Sequence, residues 1–324
     1  MVVRLPITVH GFAKWGNLTH QSRLELLMFN KTIKMNKSTE TPILPNRCYV
    51  QPFFETASFH IVKPCNMRCK FCYATFDDMR LTNQLSKYDA FKILDKLKDA
   101  GLQKITFAGG EPLLYKWIYE VIVYSKTIGL TTSIITNGSL LTDELLEKFK
   151  GKLDWIGVSV DSLNEPTNNL IGRTNKKKVN YLDLCLKIKE AGFRLKINTV
   201  VNSFNWYGDL NDFIDDVQPD RWKVFQALKV EGQNDKQFDE IKVSEEQFES
   251  YINNHKHQKS IVIEDNEAMT GSYLLIDPQG RLFENSKGKH TYSKPLQDND
   301  IDICLSEINL NREMFVKRGG IYEW

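Results

Sequence analysis

"SFHIVKPCNMRCKFCYA", residues 58–74, begins as a short apolar strand and ends in a loop that holds three cysteines. Their spacing is C-x3-C-x2-C, at Cys65, Cys69 and Cys72. Structural zinc sites and ordinary iron–sulfur sites take four protein ligands, so a trio leaves one coordination position to something else. A 4Fe–4S cluster held by three thiolates has one open iron, and an open iron can bind a small molecule directly. Zinc with His60 as fourth ligand is the competing reading. Against it, His60 lies inside the strand, and a His-before-Cys order matches no common zinc module.

Outward from this loop the chain alternates. "SKYDAFKILDKLKDAG" (86–101) is a helix with Ser86 as N-cap, Asp89 in its first turn and Gly101 as its stop. "KITFA", "TTSIIT", "DWIGVSV", "RLKINTVV" and "RWKVFQ" are five further strands, with helices expected near 115–128, 142–150, 177–191 and 208–217. Six strands alternating with helices predict a parallel sheet with helices outside, and ligands at the carboxyl ends of its strands. The fold expected is α/β; periodicity leaves an open doubly wound sheet beside a partial (β/α)6 barrel, and the family resemblance below implies the barrel. Residues 1–52 lack any period and read as a poorly ordered lead-in, 53–240 as the barrel, and 241–324 as a C-terminal extension completing the site. That extension holds a helix and then "SYLLIDPQGRLFEN", a hairpin turning at Asp277-Pro278-Gln279-Gly280.

Composition excludes several classes. Of 324 residues, 43 are basic and 41 acidic, for a net charge of +2, which argues against a nucleic-acid or membrane-surface binder. The other cysteines, Cys48, Cys185 and Cys304, are scattered, so a secreted disulfide scaffold is not indicated. The longest apolar run near the N-terminus, "LELLMF", is far shorter than the roughly 20 residues of a membrane span. A cytoplasmic, reducing location is expected.

The cysteine spacing resembles that of the radical S-adenosylmethionine enzymes. In that family a 4Fe–4S cluster binds S-adenosylmethionine through its amino and carboxylate groups and releases a 5′-deoxyadenosyl radical. "AGGEP" (108–112) follows the second strand where the family carries a Gly-Gly-Glu-Pro turn. Gly109 and Gly110 let the backbone approach a ligand, and Glu111 is placed to accept from the methionyl ammonium. "TNGS", with Thr136 and Asn137, and "SVDS" follow the third and fourth strands on the same rim. Ser159, Asp161 and Arg173 resemble family positions that hold the adenosyl ribose or the methionyl carboxylate.

Strands five and six carry polar groups at alternate positions, Lys196 and Asn198, then Arg221 and Lys223. Alternate residues share a face, and cations aimed into a closed interior require an anion. "VKRGG" adds Lys317 and Arg318 ahead of a flexible Gly319-Gly320 pair. Five cations suit a triphosphate better than a single carboxylate. From about residue 55 onward, "ITFAGGEPLL", "NNLIGR", "KINTVVN", "RWKVFQALKVEGQN", "SYLLIDPQGRLFEN" and "MFVKRGGIYEW" resemble the viperin branch of the family. That resemblance implies conversion of a ribonucleoside triphosphate (CTP, UTP or GTP) to its 3′-deoxy-3′,4′-didehydro analogue, an antiviral chain terminator. It further implies that Lys196, Arg221 and Lys223 hold the triphosphate, that Tyr273 stands near the ribose as the catalytic residue, and that a flavodoxin- or ferredoxin-like protein supplies electrons. "YATFDDMR" after the cluster and "ENSKGKH" (284–290) depart from the animal pattern, which leaves the base open. A GTP cyclase of molybdenum-cofactor type shares the early motifs, yet carries a second cysteine cluster where only Cys304 stands here. A peptide-modifying maturase would likewise add cysteines, and a zinc-stabilised nucleic-acid binder would need a basic surface.

Overall fold

The structure is a computed structural model that describes residues 54–77, 79–80, 84–174 and 178–323; the lead-in expected over 1–52, with Cys48, lies outside them. The six expected strands are β1 (Thr56–Val62), β2 (Lys104–Gly109), β3 (Thr131–Thr136), β4 (Trp155–Ser159), β5 (Arg194–Val201) and β6 (Arg221–Gln226). They pair in chain order and all in parallel. The crossovers carry α1 (Lys87–Asp99), α2 (Ile118–Thr127), α3 (Asp143–Phe149), α4 (Glu165–Leu170), α5 (Tyr181–Glu190) and α6 (Asn211–Val217). Helix α4 falls in a stretch that the sequence alone marks only as a long loop.

Local chemistry sets the helix ends. Ser86 Oγ accepts from Asp89 N at 3.2 Å at the start of α1, and Thr142 and Asn180 cap α3 and α5 in the same way. Along α1, Ala90, Ile93, Leu94 and Leu97 recur at helical spacing and are buried against the sheet. Ile105 and Phe107 of β2, Ile156 and Val158 of β4, Ile197 of β5 and Trp222 of β6 fill the same core from the strand side. Each truncation to alanine there would cost about 2–5 kcal/mol.

After residue 240 the sequence predicted a helix and a hairpin, and the structure holds more. Helices α7 (Phe238–Ile241) and α8 (Glu245–His255) lead into β7 (Ile261–Glu264), which pairs in parallel with β6. Helix α9 (Asn266–Met269) is followed by β8 (Leu275–Ile276), β9 (Arg281–Glu284) and β10 (Thr291–Pro295), then α10 (Ile301–Ser306) and α11 (Arg312–Lys317). Strands β8 and β9 form the expected hairpin, with Gly280 N donating to Asp277 O across the turn. The sheet runs β10-β9-β8-β1-β2-β3-β4-β5-β6-β7. The region after 240 therefore extends it at both edges.

With the hydrophobic residues facing the helices, the alternate residues face one another across the curl of the sheet. Thr56, Ser58 and His60 of β1 line the same cavity as Lys196 and Asn198 of β5 and Lys223 of β6. Strands so far apart in order reach one cavity only because the sheet bends around it.

Candidate active site

The cysteine loop lies at the carboxyl end of β1 and is braced on both sides. On one side Gly110 N donates to Val62 O at 2.6 Å and Glu111 N to Pro64 O at 2.8 Å. A Cβ on Gly110 would stand 2.2 Å from the carbonyl oxygens of Lys63 and Pro64, so that contact requires glycine. On the other side Arg68 N donates to Gly172 O at 3.1 Å and Lys70 N to Ile171 O at 2.9 Å. Gly172 has φ +77°, and a Cβ there would meet Arg68 O at 2.0 Å.

Cys65, Cys69 and Cys72 all line a cavity of about 320 Å3. Burial pushes all three thiols up, Cys69 to about 12, so the thiolates need a metal to hold them ionised. Cys185 and Cys304 are wholly buried on α5 and α10 and do not line the cavity. His60 lines it, but its Nε2 lies 3.1 Å from the Tyr73 hydroxyl, and burial pushes the ring down to about 3. Among the described residues no three His, Cys, Asp or Glu side chains converge on a site for one ion. A three-thiol donor set in a buried cavity fits a 4Fe–4S cluster.

The rim beside the thiols carries the next group. Gly109, Gly110, Thr136, Asn137, Ser159, Asp161 and Arg173 line the cavity. Asp161 and Arg173 form a buried ion pair, and Asp161 Oδ1 also accepts from Val200 N at 2.7 Å. Asn137 Nδ2 donates to Asn66 Oδ1 at 2.7 Å and lies 3.9 Å from Cys65 Sγ. Glu111 is different: it is fully buried and does not line the cavity. Its carboxylate accepts from Thr136 Oγ1 (2.8 Å), Asn137 N (2.9 Å) and Leu113 N (3.2 Å). It ties the end of β2 to the end of β3, where sequence reasoning aimed it at the cofactor.

The far side of the cavity is cationic. Lys196, Asn198, Lys223, Tyr273 and Arg318 line it, and Asn198 Oδ1 is buried without a hydrogen-bond partner. Strand register sets Lys196 opposite Arg221 and Asn198 opposite Lys223. Arg221 sits just behind the lining, with Nη2 donating to Gly319 O at 2.7 Å. Lys317 is exposed on α11 and lies outside the lining, because neighbouring helix positions point about 100° apart. Burial pushes Lys196 and Lys223 down to about 7, with Arg221 adding to the shift at Lys196 and Glu264 opposing it at Lys223.

Sequence reasoning missed three residues here. Lys104, at the start of β2, lines the cavity and is pushed down to about 5 by burial and by Lys196, Arg221 and Lys223. Tyr322 accepts from Lys104 Nζ at 2.6 Å and from Lys196 Nζ at 3.1 Å, while the Arg221 guanidinium stacks over its ring at 4.0 Å. Gly319, Gly320 and Tyr322 thus line the cavity beside Lys104, at the amino end of β2. Glu264, fully buried at the end of β7, pairs with Lys223, accepts from the Tyr273 hydroxyl, and lies 3.5 Å from Arg318 Nη1. The one signal for it was a carboxylate closing the short apolar run "IVIE".

Residues 61–217 match the family model of the radical SAM superfamily. The fold agrees with Streptococcus suis SuiB bound to S-adenosylmethionine at a TM-score of 0.63 and 16% identity, over 93% of this chain and 77% of that one. It also agrees with anSMEcpe with bound AdoMet, at a TM-score of 0.59 and 13% identity over 81% and 83% of the two chains. Enzymes of this superfamily use a 4Fe–4S cluster and S-adenosylmethionine.

Closer relatives narrow the class. A protein of Flammeovirga pacifica named S-adenosylmethionine-dependent nucleotide dehydratase is 43% identical over 83% of this chain and 96% of its own length. One of Lacinutrix mariniflava with the same name is 46% identical over 83% of this chain, which spans 58% of that protein's length. A third, the RSAD2 dehydratase of Danio rerio, is 32% identical over 83% of this chain and 78% of its own. The chain belongs to this family of radical S-adenosylmethionine enzymes. Among the described residues no helix is long and apolar enough to cross a membrane.

Proposed function

We propose that the chain dehydrates a ribonucleoside triphosphate, CTP, UTP or GTP, to its 3′-deoxy-3′,4′-didehydro analogue, a chain terminator acting against phage. The observation that carries this reading is a single cavity with three thiols at one end and Lys196, Lys223 and Arg318 at the other. When bound, the cluster and S-adenosylmethionine supply one-electron chemistry that removes a hydrogen atom from the ribose.

The chain's own residues bind and orient. Cys65, Cys69 and Cys72 hold the cluster, and Gly109, Gly110, Thr136, Asn137, Ser159, Asp161 and Arg173 form the cofactor's cradle. Lys196, Lys223 and Arg318 hold the triphosphate, with Arg221 behind them and Lys104 as a further amine donor. Asn198 offers its unmatched Oδ1 as acceptor to a ribose hydroxyl. A hydrogen-abstracting species is unselective in solution, so position must select the C4′ hydrogen. Loss of the 3′-hydroxyl as water takes up one proton and one electron. Tyr273 lines the cavity and accepts from Lys223 Nζ at 2.8 Å, so it delivers that proton if its hydroxyl turns from Glu264 to the ribose while Lys223 replaces the proton given up. A flavodoxin- or ferredoxin-like protein of the cytoplasm supplies the electron.

Anaerobic incubation with CTP, UTP and GTP deuterated at C4′ tests the reading. Deuterium is expected in 5′-deoxyadenosine with at least one of them, together with a nucleotide lighter by one water. Transfer from C3′ would point to a cyclase-like reaction, and no transfer from any nucleotide refutes the proposal.

A further inference from the structure

We propose that Glu264 is the positioning residue of the nucleotide wall, a carboxylate outside the cavity that fixes Lys223, Tyr273 and Arg318 as one unit. This rests on the triphosphate reading of the cationic wall. The three residues come from separate parts of the chain: β6, the segment before β8, and the end of α11. Glu264 reaches all three. The Tyr273 hydroxyl donates to Oε2, while Lys223 and Arg318 approach Oε1.

The partners are also locked to one another. Lys223 Nζ donates to Tyr273 Oη at 2.8 Å, and the Arg318 guanidinium lies 3.5 Å from the Tyr273 ring centroid. Arg318 Nη2 donates to Ser272 O at 2.9 Å, next to Tyr273 in the chain. Lys223, Tyr273 and Arg318 line the cavity, and Glu264 does not. An ion pair serving stability alone has no need to keep every partner facing the ligand space. Here the carboxylate stands behind the wall, and its partners face forward.

The charged groups around Lys223 are Glu264 on β7, Lys196 on β5, Lys104 on β2 and Arg318 after α11. Three of the four are basic, so Glu264 is the one among them that favours the ammonium against burial. Removing its charge lowers the pH at which Lys223 loses its proton. A glutamine there offers one neutral oxygen to Lys223, Tyr273 and Arg318 in place of a shared carboxylate, and Arg318 is left with its contacts to Ser272 O and the Tyr273 ring.

The test uses anaerobically reconstituted wild type, Glu264→Gln, Tyr273→Phe and the double variant. Titration calorimetry with CTP, UTP and GTP is run from pH 6 to 8.5, alongside S-adenosylmethionine. Glu264→Gln is expected to weaken the best nucleotide about tenfold at pH 7, with the gap to wild type widening as pH rises. Affinity for S-adenosylmethionine should stay within about twofold. The double variant should bind no worse than the weaker single one, because both changes break one network. Wild-type affinity and pH profile in Glu264→Gln would overturn the inference, as would full additivity in the double variant. Should Glu264→Gln fail to fold, Tyr273→Phe decides: unchanged nucleotide affinity and pH profile there overturn it too. If wild type binds none of the three nucleotides, the triphosphate reading itself has failed, and this inference falls with it.

Discussion

Consider Lys196→Met, which removes one buried ammonium and keeps its volume. In the free protein Lys196 and Lys223 both sit at about 7, lowered by burial, and face the cavity together. A bound triphosphate favours the charged form, so binding raises both values and takes up protons. The sign follows: affinity falls as pH rises through about 7, because the free lysines lose protons that the complex requires. Each pH unit above that point adds about 1.36 kcal/mol, or tenfold, for each lysine that must be recharged. Losing the charge-assisted contact itself costs about 1.5–3 kcal/mol, so Lys196→Met should raise the dissociation constant about 10- to 150-fold at pH 7. Between pH 7.5 and 9 the variant's log Kd should climb about one unit less per pH unit than that of wild type. Calorimetry in two buffers of different ionisation enthalpy reads the proton uptake directly. A wild-type affinity flat across pH 7.5–9, or equal slopes in the two proteins, refutes this account of the wall.

Other outcomes follow from the site. Replacing Cys65, Cys69 or Cys72 by Ala should abolish iron loading, while Cys185→Ala and Cys304→Ala should retain about four irons per chain, measured by iron and sulfide analysis. Gly172→Ala combines a positive φ with a clash at Arg68 O, so it should lower iron content sharply in an otherwise folded protein, read by visible absorbance beside circular dichroism. Lys317→Ala, exposed on α11, should leave the nucleotide dissociation constant within about twofold of wild type, whereas Arg318→Ala should raise it at least tenfold.

How legible this was in the sequence depended on how local each signal is. Strands β1 to β6 announce themselves because each is a largely apolar stretch followed by a helical pattern; Ser86, Thr142 and Asn180 mark three of those helix starts. The inward row Lys196, Asn198, Arg221, Lys223 was readable from period two alone. Strand β7 was not, since "IVIE" is four residues long on an edge, with Ile263 42% exposed, and shows neither alternation nor a long apolar run. Glu264 went with it. Lys104 opens a strand, where a lysine ordinarily points to water, and only the curl of the sheet brings it to Tyr322. Lys317 and Arg318 looked equivalent as neighbours, yet the turn of α11 puts one outside and the other over Tyr273. Glu111 was recognised as belonging to the site, but its three donors come from the chain itself.

The floor made by Gly319, Gly320 and Tyr322 is completed late in synthesis. Lys104 and Tyr322 meet across 218 positions of chain, and Arg312 reaches Glu55 across 257. During synthesis the cysteine loop leaves the ribosome early, while Arg318 and Tyr322 follow about 250 residues later. At about 5–20 residues per second that gap is on the order of 10–50 s. Through that interval a nascent chain has its three thiols but lacks Arg318 and Tyr322. Under the proposed function, the residues that seat the nucleotide therefore arrive after those that hold the cluster, and a chain stalled in between would lack its nucleotide wall.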